Sequence, residues 1–451
     1  LFVNHDKPEK SFLDLDLSTT TGDHPYIKAS ARFFSVAVRG GGGAVIVRRL
    51  DQPGKISSSE PKLAGHKAAV TDTEWNPFND NVLYTASDDA TVKIWQIPEG
   101  GLTENLTEAA GSLDGHIKTV TLLRAHPVAS NVLASAGKKP CVKIWDVEKC
   151  DDKLTLEDFG GFVQDLNWNY NGSLLATTSK DKLTRVWDPR SSKVVASHKC
   201  HDGAKASKVL FLGRKEQLVT VGFTRQSKRE FKGWDPRKLD TPLFHKELDQ
   251  SAGVLLPFYD ESNNILYLGG KGDGNMRFFE FVNESPFVYT LGEDRTTTSA
   301  KGLCMVPKRT VDVNHSELMR FLKLTPNTVT GFSVMLPRKA EGYDPSIYPD
   351  IPAAVPAQSA EKWFAGTDVD PKLQSMDPSQ NPDAPVAAAL TLDPVVKAQA
   401  PAPAAAAAGS GGAGSSSAED LQKQLDEALK KLAALEIENK ELKEQVAELK
   451  K

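Results

Sequence analysis

The chain has 451 residues, of which 39% are hydrophobic and 25% are charged, and its formal net charge is −4. This composition is typical of a soluble globular protein, and so mild a charge does not indicate a nucleic-acid-binding protein. The four cysteines form no C-x-x-C pair, no apolar run reaches the length of a membrane span, and the first residues lack a signal-peptide pattern. We therefore expect a cytoplasmic protein without a disulfide framework or a transmembrane segment.

A short β-rich phrase recurs along the chain at intervals of forty to fifty residues. It reads SDDATVKIWQ at 87–96 and GKKPCVKIWD at 137–146. The aromatic residues that stand near the end of each copy are Trp95, Trp145, Trp187, Trp234 and Phe279. A β-branched run and a polar turn precede these residues, which predicts hairpins. Long periods built from short strands are typical of propellers with four-stranded blades.

Seven such units account for the first 336 residues. They span 31–50, 63–97, 116–147, 159–189, 201–236, 252–281 and 301–336. We predict an all-β fold, a seven-bladed β-propeller of WD repeats over residues 1–336. We expect strands from the start of the chain to complete the last blade, because this closure removes exposed sheet edges.

WD-repeat blades contain a buried hydrogen-bonded set, made of the histidine of a Gly-His pair, a strand hydroxyl, a turn aspartate and the tryptophan. Such groups are costly to bury alone and acceptable only when they satisfy one another. Unit 63–97 has every part, with either Thr85 or Ser87 as the hydroxyl. The predicted structural set over all units is His66, Asp89, Trp95, His116, Trp145, Asp181, Trp187 and Trp234.

Some units depart from this pattern. Lys139 and Lys228 stand where the aspartate is expected, and 160–162 reads Gly-Gly-Phe in place of Gly-His. Degenerate blades are common in propellers, so the period carries more of the prediction than any single motif.

Two features could suggest chemistry. His198, Cys200 and His201 could hold a metal, but His201 occupies the Gly-His position of its unit, which favours a structural role. The glycine runs at 39–45 and 269–275 lack the Lys-Ser/Thr of a phosphate loop and read as turns. We expect no catalytic residue, no metal and no cofactor, and thus no enzyme.

Several segments are not explained by the WD-repeat pattern. They include LPFYDESNNILYLGGKGDGNMRFFEF (256–281), GLCMVPKR (302–309), PSIYPDI (345–351) and EKWFAGTDVDPK (361–372). Over about 31–376 the chain resembles coronins. The resemblance implies an actin-filament-binding propeller, a C-terminal extension packed on it, a variable linker and an oligomerising coiled coil. It also implies the actin-related-protein nucleating complex and cofilin as possible partners, and a role in filament organisation, bundling and turnover.

The start of the chain departs from the coronin pattern. Many coronins are basic there, whereas 11–23 contains Asp14 and Asp16 and no Lys or Arg. Actin filaments are acidic, so we expect cations elsewhere to form the binding patch. The candidates are Lys28, Arg32, Arg48, Arg49, Lys205, Lys208, Lys228, Arg229, Lys308 and Arg309.

The tail divides into three parts. Residues 337–376 are Pro-rich but contain Tyr343, Tyr348, Trp363 and Phe364, which predicts a strap that buries aromatic rings on the propeller. Residues 377–417 are rich in Pro, Ala, Gly and Ser and are predicted to be a flexible linker.

Residues 418–451 carry a sustained heptad repeat, which predicts a coiled coil. Its core positions are Leu421, Leu425, Ala428, Leu432, Leu435, Asn439, Leu442, Val446 and Leu449. Charge pairing across the flanks predicts parallel helices. Asn439 at a core position favours a dimer, whereas KLAALE at 431–436 resembles a trimer motif of coronins, so both states remain open.

The alternative to an actin-binding protein is a generic WD-repeat scaffold or adaptor that binds peptide partners. One pelleting assay distinguishes the two hypotheses, because only an actin-binding protein is expected to pellet with actin filaments.

Overall fold

The computed structural model describes residues 1–380, and residues 381–451 lie outside its described part. Within residues 1–380 the fold is nearly all β, and its one α-helix is Ala360–Phe364. Short 3-10 helices are Pro8–Lys10, Gly213–Lys215, Lys308–Thr310 and Val313–His315. No helix in this part of the chain is long and apolar enough to cross a bilayer.

Seven antiparallel sheets form the seven blades of a β-propeller, as the sequence predicted. Blade 1 contains Ile27–Ala29, Phe33–Ala37, Val45–Arg49 and Lys62–Leu63. Blade 2 contains Val70–Asn76, Asn79–Ser87, Thr91–Gln96 and Gly111–Asp114. Blade 3 contains Val120–Ala125, Val132–Gly137, Val142–Asp146 and Asp151–Leu156. Blade 4 contains Val163–Trp168, Leu175–Ser179, Thr184–Asp188 and Lys193–His198. Blade 5 contains Lys208–Phe211, Leu218–Phe223, Arg229–Trp234 and Phe244–Asp249. Blade 6 contains Leu255–Asp260, Ile265–Gly270, Met276–Phe281 and Val288–Asp294. The first strands of neighbouring blades contact one another, so they line the central channel.

Blade 7 is completed by the start of the chain. Three of its strands come from the end of the propeller sequence and are Gly302–Met305, Glu317–Leu324 and Val329–Met335. Phe2–His5 pairs antiparallel with the last of these, with Phe2 opposite Met335 and His5 opposite Phe332. The expected closure of the ring by N-terminal sequence is thus confirmed, and it covers an edge that would otherwise be open to pairing.

A second N-terminal strand, Phe12–Leu13, joins blade 7 to the outside of blade 1. Phe12 pairs with Val329 on one side and, in parallel, with Gly54 of the short strand Gly54–Lys55 on the other. The N-terminal segment therefore bridges the first and last blades.

The repeat units seen in the sequence are offset from the blades. Unit 63–97 starts in the outermost strand of blade 1 and ends with the third strand of blade 2. Unit 31–50 was too short for blade 1, because it omitted the strands Ile27–Ala29 and Lys62–Leu63. These strands have three and two residues, too few to show an alternating pattern.

Successive strands run in opposite directions, so their connections alternate between the two faces of the propeller. We call one the Gly-His face; it carries the turns between second and third strands and the loops that lead from one blade to the next. The other is the strap face, which carries the remaining connections and receives the segment after blade 7.

That segment, residues 337–380, is the strap. It contains the helix and the paired strands Ile351–Pro352 and Leu373–Gln374. Tyr348 is buried and donates its hydroxyl proton to the backbone oxygen of Glu317, at 3.0 Å. The strap is therefore attached to blade 7 close to the point where the chain leaves that blade.

Further along, Trp363 is fully buried against the strap-face loops of blades 3 and 4. Its indole N–H donates to the backbone oxygen of Gly172 at 3.1 Å, and its ring meets His126 at 5.0 Å and Trp168 at 5.7 Å. Ser359 caps the helix by accepting the backbone N–H of Lys362. An aromatic side chain buried this completely ties the strap to the propeller body.

Candidate functional site

The hydrogen-bonded set of blade 2 is complete. His66 Nδ1 donates to Asp89 at 2.9 Å, the Thr85 hydroxyl lies 2.7 Å from His66 Nε2, and the Trp95 indole N–H donates to Thr85 at 2.8 Å. The strand hydroxyl of the set is therefore Thr85. Ser87 instead donates to the backbone oxygen of Ala68 at 3.1 Å.

The charges of this set follow from its burial. Burial lowers the pKa of His66, so the ring is neutral. Burial raises the pKa of Asp89, but hydrogen bonds from Thr91, Lys67 and His66 outweigh it and bring that pKa down to about 2. The set holds a carboxylate beside a neutral imidazole, which is a structural arrangement.

Blade 5 builds the same set with a different carboxylate. His201 Nδ1 lies 2.8 Å from Glu230, His201 Nε2 lies 2.9 Å from the Thr220 hydroxyl, and Trp234 donates to Thr220 at 2.8 Å. Glu230 thus supplies the carboxylate that the WD pattern places at position 228, where this chain has Lys228. Glu230 was not among the predicted residues, although a glutamate within a buried strand is a signal for such a role.

Blade 3 keeps only part of the set. Ser135 lies 2.7 Å from His116 Nε2 and accepts the Trp145 indole N–H at 2.7 Å. Among the described residues His116 Nδ1 has no partner, and Lys139 pairs with Glu157 at 3.1 Å. The lysine at the aspartate position therefore leaves this histidine with one hydrogen bond.

Blade 4 replaces the histidine by an aromatic ring. Phe159 packs on Trp187 at 5.1 Å, and Trp187 donates to Thr177 at 3.0 Å. Asp181 accepts from Arg185 at 2.7 Å and from the Gly160 backbone at 2.9 Å. The turn aspartate here holds a guanidinium in place of an imidazole.

The residues weighed as a metal site do not form one in the part of the chain that the structure describes. His201 is bonded within blade 5, and the ring of His198 packs on Trp234 at 6.0 Å. Burial raises the pKa of Cys200 to about 11, which disfavours the thiolate that binds metals. No group of three metal-ligating side chains occurs within residues 1–380.

Three of the ten candidate cations are not on the surface. Arg229 is buried and donates to Asp249 at 2.7 Å and to Asp273 at 2.6 Å. Lys208 is also buried, and the Lys308 side chain is 10% exposed and lies 2.5 Å from Asp260. Burial lowers the pKa of Lys308, and Asp260 opposes that effect. Carboxylates of the fold therefore neutralise Arg229 and Lys308, and none of the three lysine and arginine side chains belongs to an exposed filament-binding patch.

Three more candidates are half-buried in ion pairs. Lys28 lies 2.6 Å from Glu74, Arg48 lies 2.5 Å from Glu60, and Arg309 lies 2.5 Å from Asp80.

The four most exposed candidates are Arg32, Arg49, Lys205 and Lys228. The structure brings only Arg32 and Arg49 together among these four: Arg32 pairs with the Glu99 carboxylate, and Arg49 donates to the Glu99 backbone oxygen at 3.0 Å. Both lie on the strap face, between blades 1 and 2.

Lys205 and Lys228 lie on the Gly-His face. Lys228 pairs with Glu247 at 2.9 Å, and Lys205 donates to the backbone oxygen of Ala252 at 2.7 Å. The nine predicted oligomerisation positions, Leu421 to Leu449, lie outside the described residues.

Family models match four segments of the chain. A model described as "WD domain, G-beta repeat" matches residues 57–96 and 152–188, and one described as a type of WD40 repeat matches 332–371. A domain of unknown function, DUF1899, matches residues 1–55.

Known proteins that resemble this chain are coronins. Coronin-A of Dictyostelium discoideum is 44% identical over 400 residues, which cover 88% of this chain and 88% of that protein. Human Coronin-2B is 42% identical over 371 residues, which cover 82% of this chain and 77% of that protein. The crystal structure of the WD40 domain of Toxoplasma gondii coronin matches with a TM-score of 0.78 and 33% identity, over 83% of this chain and 96% of that domain. By sequence and by fold, the chain belongs to the coronin family.

Proposed function

We propose that this protein binds actin filaments and organises them into bundles, with several propellers joined through the coiled coil expected at 418–451. The observation that carries the proposal is its 44% identity to a coronin over 88% of both chains. By the same resemblance, the actin-related-protein nucleating complex and cofilin are proposed as further partners, and the actin cytoskeleton of the cytoplasm as the location. The protein works by binding and not by catalysis.

We place the filament contact at the pair Arg32 and Arg49. Their side chains are 46% and 31% exposed, and both interact with Glu99. Arg49 also pairs with Asp51 at 2.6 Å. An exposed ion pair contributes only about 0–1 kcal/mol, so an acidic filament can replace Glu99 and Asp51 as partners at little cost. The neighbouring Arg309 is tied to Asp80, which also accepts the backbone N–H of Ala31 at 2.8 Å, and this holds the loop that carries Arg32.

Oligomerisation would turn a weak contact into a strong one. When two propellers share one stalk, the second binding event draws on a high effective concentration, and avidity exceeds the affinity of a single head. A flexible linker at 377–417 would let the heads reach different subunits or different filaments.

The test is cosedimentation of the full-length chain with actin filaments. Replacing Arg32 and Arg49 by glutamate should weaken pelleting, with the larger effect at low salt, because the interaction is electrostatic. Arg237→Glu is the control, since Arg237 is exposed and pairs with Asp235 but lies in blade 5. Equal pelleting by the double variant and the parent would show that the contact lies elsewhere.

A further inference from the structure

The mouth of the central channel on the Gly-His face is a wide cavity of about 1180 Å³. Its lining comes from six of the seven blades, so it lies on the axis of the propeller. We call it the lysine funnel, after the six lysines that line it: Lys138, Lys180, Lys205, Lys208, Lys271 and Lys301. It lies on the face opposite to Arg32 and Arg49, and nothing in the structural sets of the blades explains it.

The funnel concentrates positive charge. Among the described residues, its lining has six lysines and one carboxylate, that of Asp23. Lys205 and Lys301 donate to the backbone oxygens of Ala252 and Ser18, at 2.7 and 3.3 Å, which are neutral acceptors. Each ammonium has three donors, so hydrogen bonds of this kind leave both charge and donors free for a ligand.

The inner lysines behave in the same way. Lys271 donates to the backbone oxygen of Gly22 and lies over the ring of Tyr26. Lys208, deepest in the group, donates to the Gln164 backbone oxygen at 3.2 Å, and the nearest carboxylate oxygen, that of Asp165, is 3.8 Å away.

The effect of this crowding is seen at Lys271. Burial, together with repulsion from Lys208 and Lys301, lowers its pKa to about 8 against the opposing attraction of Asp23. An ammonium in such surroundings gains from an added anion.

One buried polar group of the lining is also unsatisfied. His24 is 8% exposed, and its Nε2 has no hydrogen-bond partner among the described residues. Buried polar atoms without a partner are rare in native structures, and a ligand is one of the ordinary explanations.

The funnel is not only cationic. Leu122, Val163 and Val254 contribute apolar surface to its lining, and Phe162 is 38% exposed at its rim with Lys180 over its ring at 5.4 Å. Ile117, in the loop that leads to Thr121, is 72% exposed on the same face. Exposed apolar residues next to a cluster of charges are typical of a binding surface.

We propose that the lysine funnel binds an acidic peptide segment of a partner protein, with several carboxylates for the lysines and an apolar side chain for the surface near Phe162. Its chemistry favours this occupant over two others. A polyphosphate would leave the apolar lining unused. A membrane surface is flat and would not reach Lys208, which is 4% exposed inside the cavity. The proposal does not depend on actin binding.

The test uses the full-length chain and fluorescein-labelled peptides, followed by fluorescence anisotropy at two salt concentrations. The acidic peptide DDELFDE is the probe, with KKKLFKK and DDEGGDE as controls for charge and for the apolar side chains. Inositol hexakisphosphate and vesicles with anionic lipid are separate competitors. We expect DDELFDE to bind most tightly and to weaken at the higher salt concentration.

The variant Lys138→Glu/Lys180→Glu tests the site, because both side chains are exposed at the rim and their loss should not disturb the fold. We expect it to bind DDELFDE about tenfold more weakly, since two attractions become repulsions. Lys193→Glu/Lys238→Glu is the control, with the same change in charge at exposed positions outside the funnel.

Parental affinity in the control and an unchanged thermal midpoint in both double variants would support the proposal. Equal binding of all three peptides, an unchanged affinity in the rim variant, or binding of only the phosphate compound or the vesicles would each overturn it.

Discussion

The Glu230 carboxylate lies 2.8 Å from Nδ1 of His201, inside blade 5. It reaches the imidazole from the third strand of the blade, whereas Asp89 reaches His66 from the turn before that strand in blade 2. The fold therefore accepts a carboxylate for the buried histidine from either place. Lys228, at the position of the missing aspartate, takes no part in this set.

Replacing Glu230 by alanine should destabilise the protein. The change leaves His201 Nδ1 buried without a partner and also removes the bond at 2.6 Å from His245, so a loss of about 1–3 kcal/mol in the free energy of unfolding is expected. Lys228→Ala should change it by less than about 0.5 kcal/mol, because that lysine is in a surface ion pair. Urea unfolding measures both, and a larger effect for Lys228 would contradict this account.

The strap should depend on Trp363. Trp363→Ala removes a fully buried ring and its hydrogen bond to Gly172, with an expected cost of about 3–5 kcal/mol in unfolding free energy if strap and propeller unfold together. Phe364 is only half-buried and serves as the matched control. Limited proteolysis should cut the Trp363 variant within 337–380 first. Equal resistance of the two variants would show that the ring does not hold the strap.

Acid should destabilise the contact between strap and propeller through His126. Burial lowers the pKa of His126 to about 3, so the folded ring stays neutral while an unfolded histidine becomes charged below about pH 6.5. The unfolded state then binds more protons, and stability falls as pH decreases from about 6.5 toward 3, by up to about 1.4 kcal/mol per pH unit.

Urea unfolding of the parent and of His126→Gln at about pH 7, 6 and 5 measures this dependence. The variant should show a shallower loss of stability toward acid than the parent. A variant that loses stability with pH as steeply as the parent would remove His126 from the explanation.

The coiled coil makes a prediction that rests on sequence. An asparagine at a core position favours a matched asparagine in the partner helix and so fixes register and strand number. Asn439→Leu should therefore raise the thermal stability of the oligomer and broaden its distribution of masses in sedimentation. An unchanged single mass with unchanged orientation would count against the role given to Asn439.

The fold could be predicted from the sequence because its repeat is long and its aromatic positions are regular. The hydroxyl of each set was harder to assign, since Thr85 and Ser87 are two residues apart and face the same side of their strand. The structure shows a rule that would have decided it: the hydroxyl lies ten residues before the tryptophan in blades 2, 3 and 4. In blade 5 the separation is fourteen, because the intervening turn is longer.

The surface could not be predicted to the same degree. Arg229 reads as a surface cation, yet it is buried by carboxylates that are 20 and 44 residues away in the chain. Only the arrangement of neighbouring blades brings Asp249 and Asp273 to it. The same is true of the lysine funnel, whose six lysines come from five different blades and the loops between them and share no motif in the sequence.

The most direct measurement of the central proposal is cosedimentation of two chains with actin filaments over a range of filament concentrations. One chain is full-length and the other ends at residue 417, before the heptad repeat. We predict that the full-length chain pellets and that the shorter one binds about 100-fold or more weakly, because it has lost avidity. If a folded full-length chain stays in the supernatant at every filament concentration, the proposal that this protein binds and organises actin filaments is wrong.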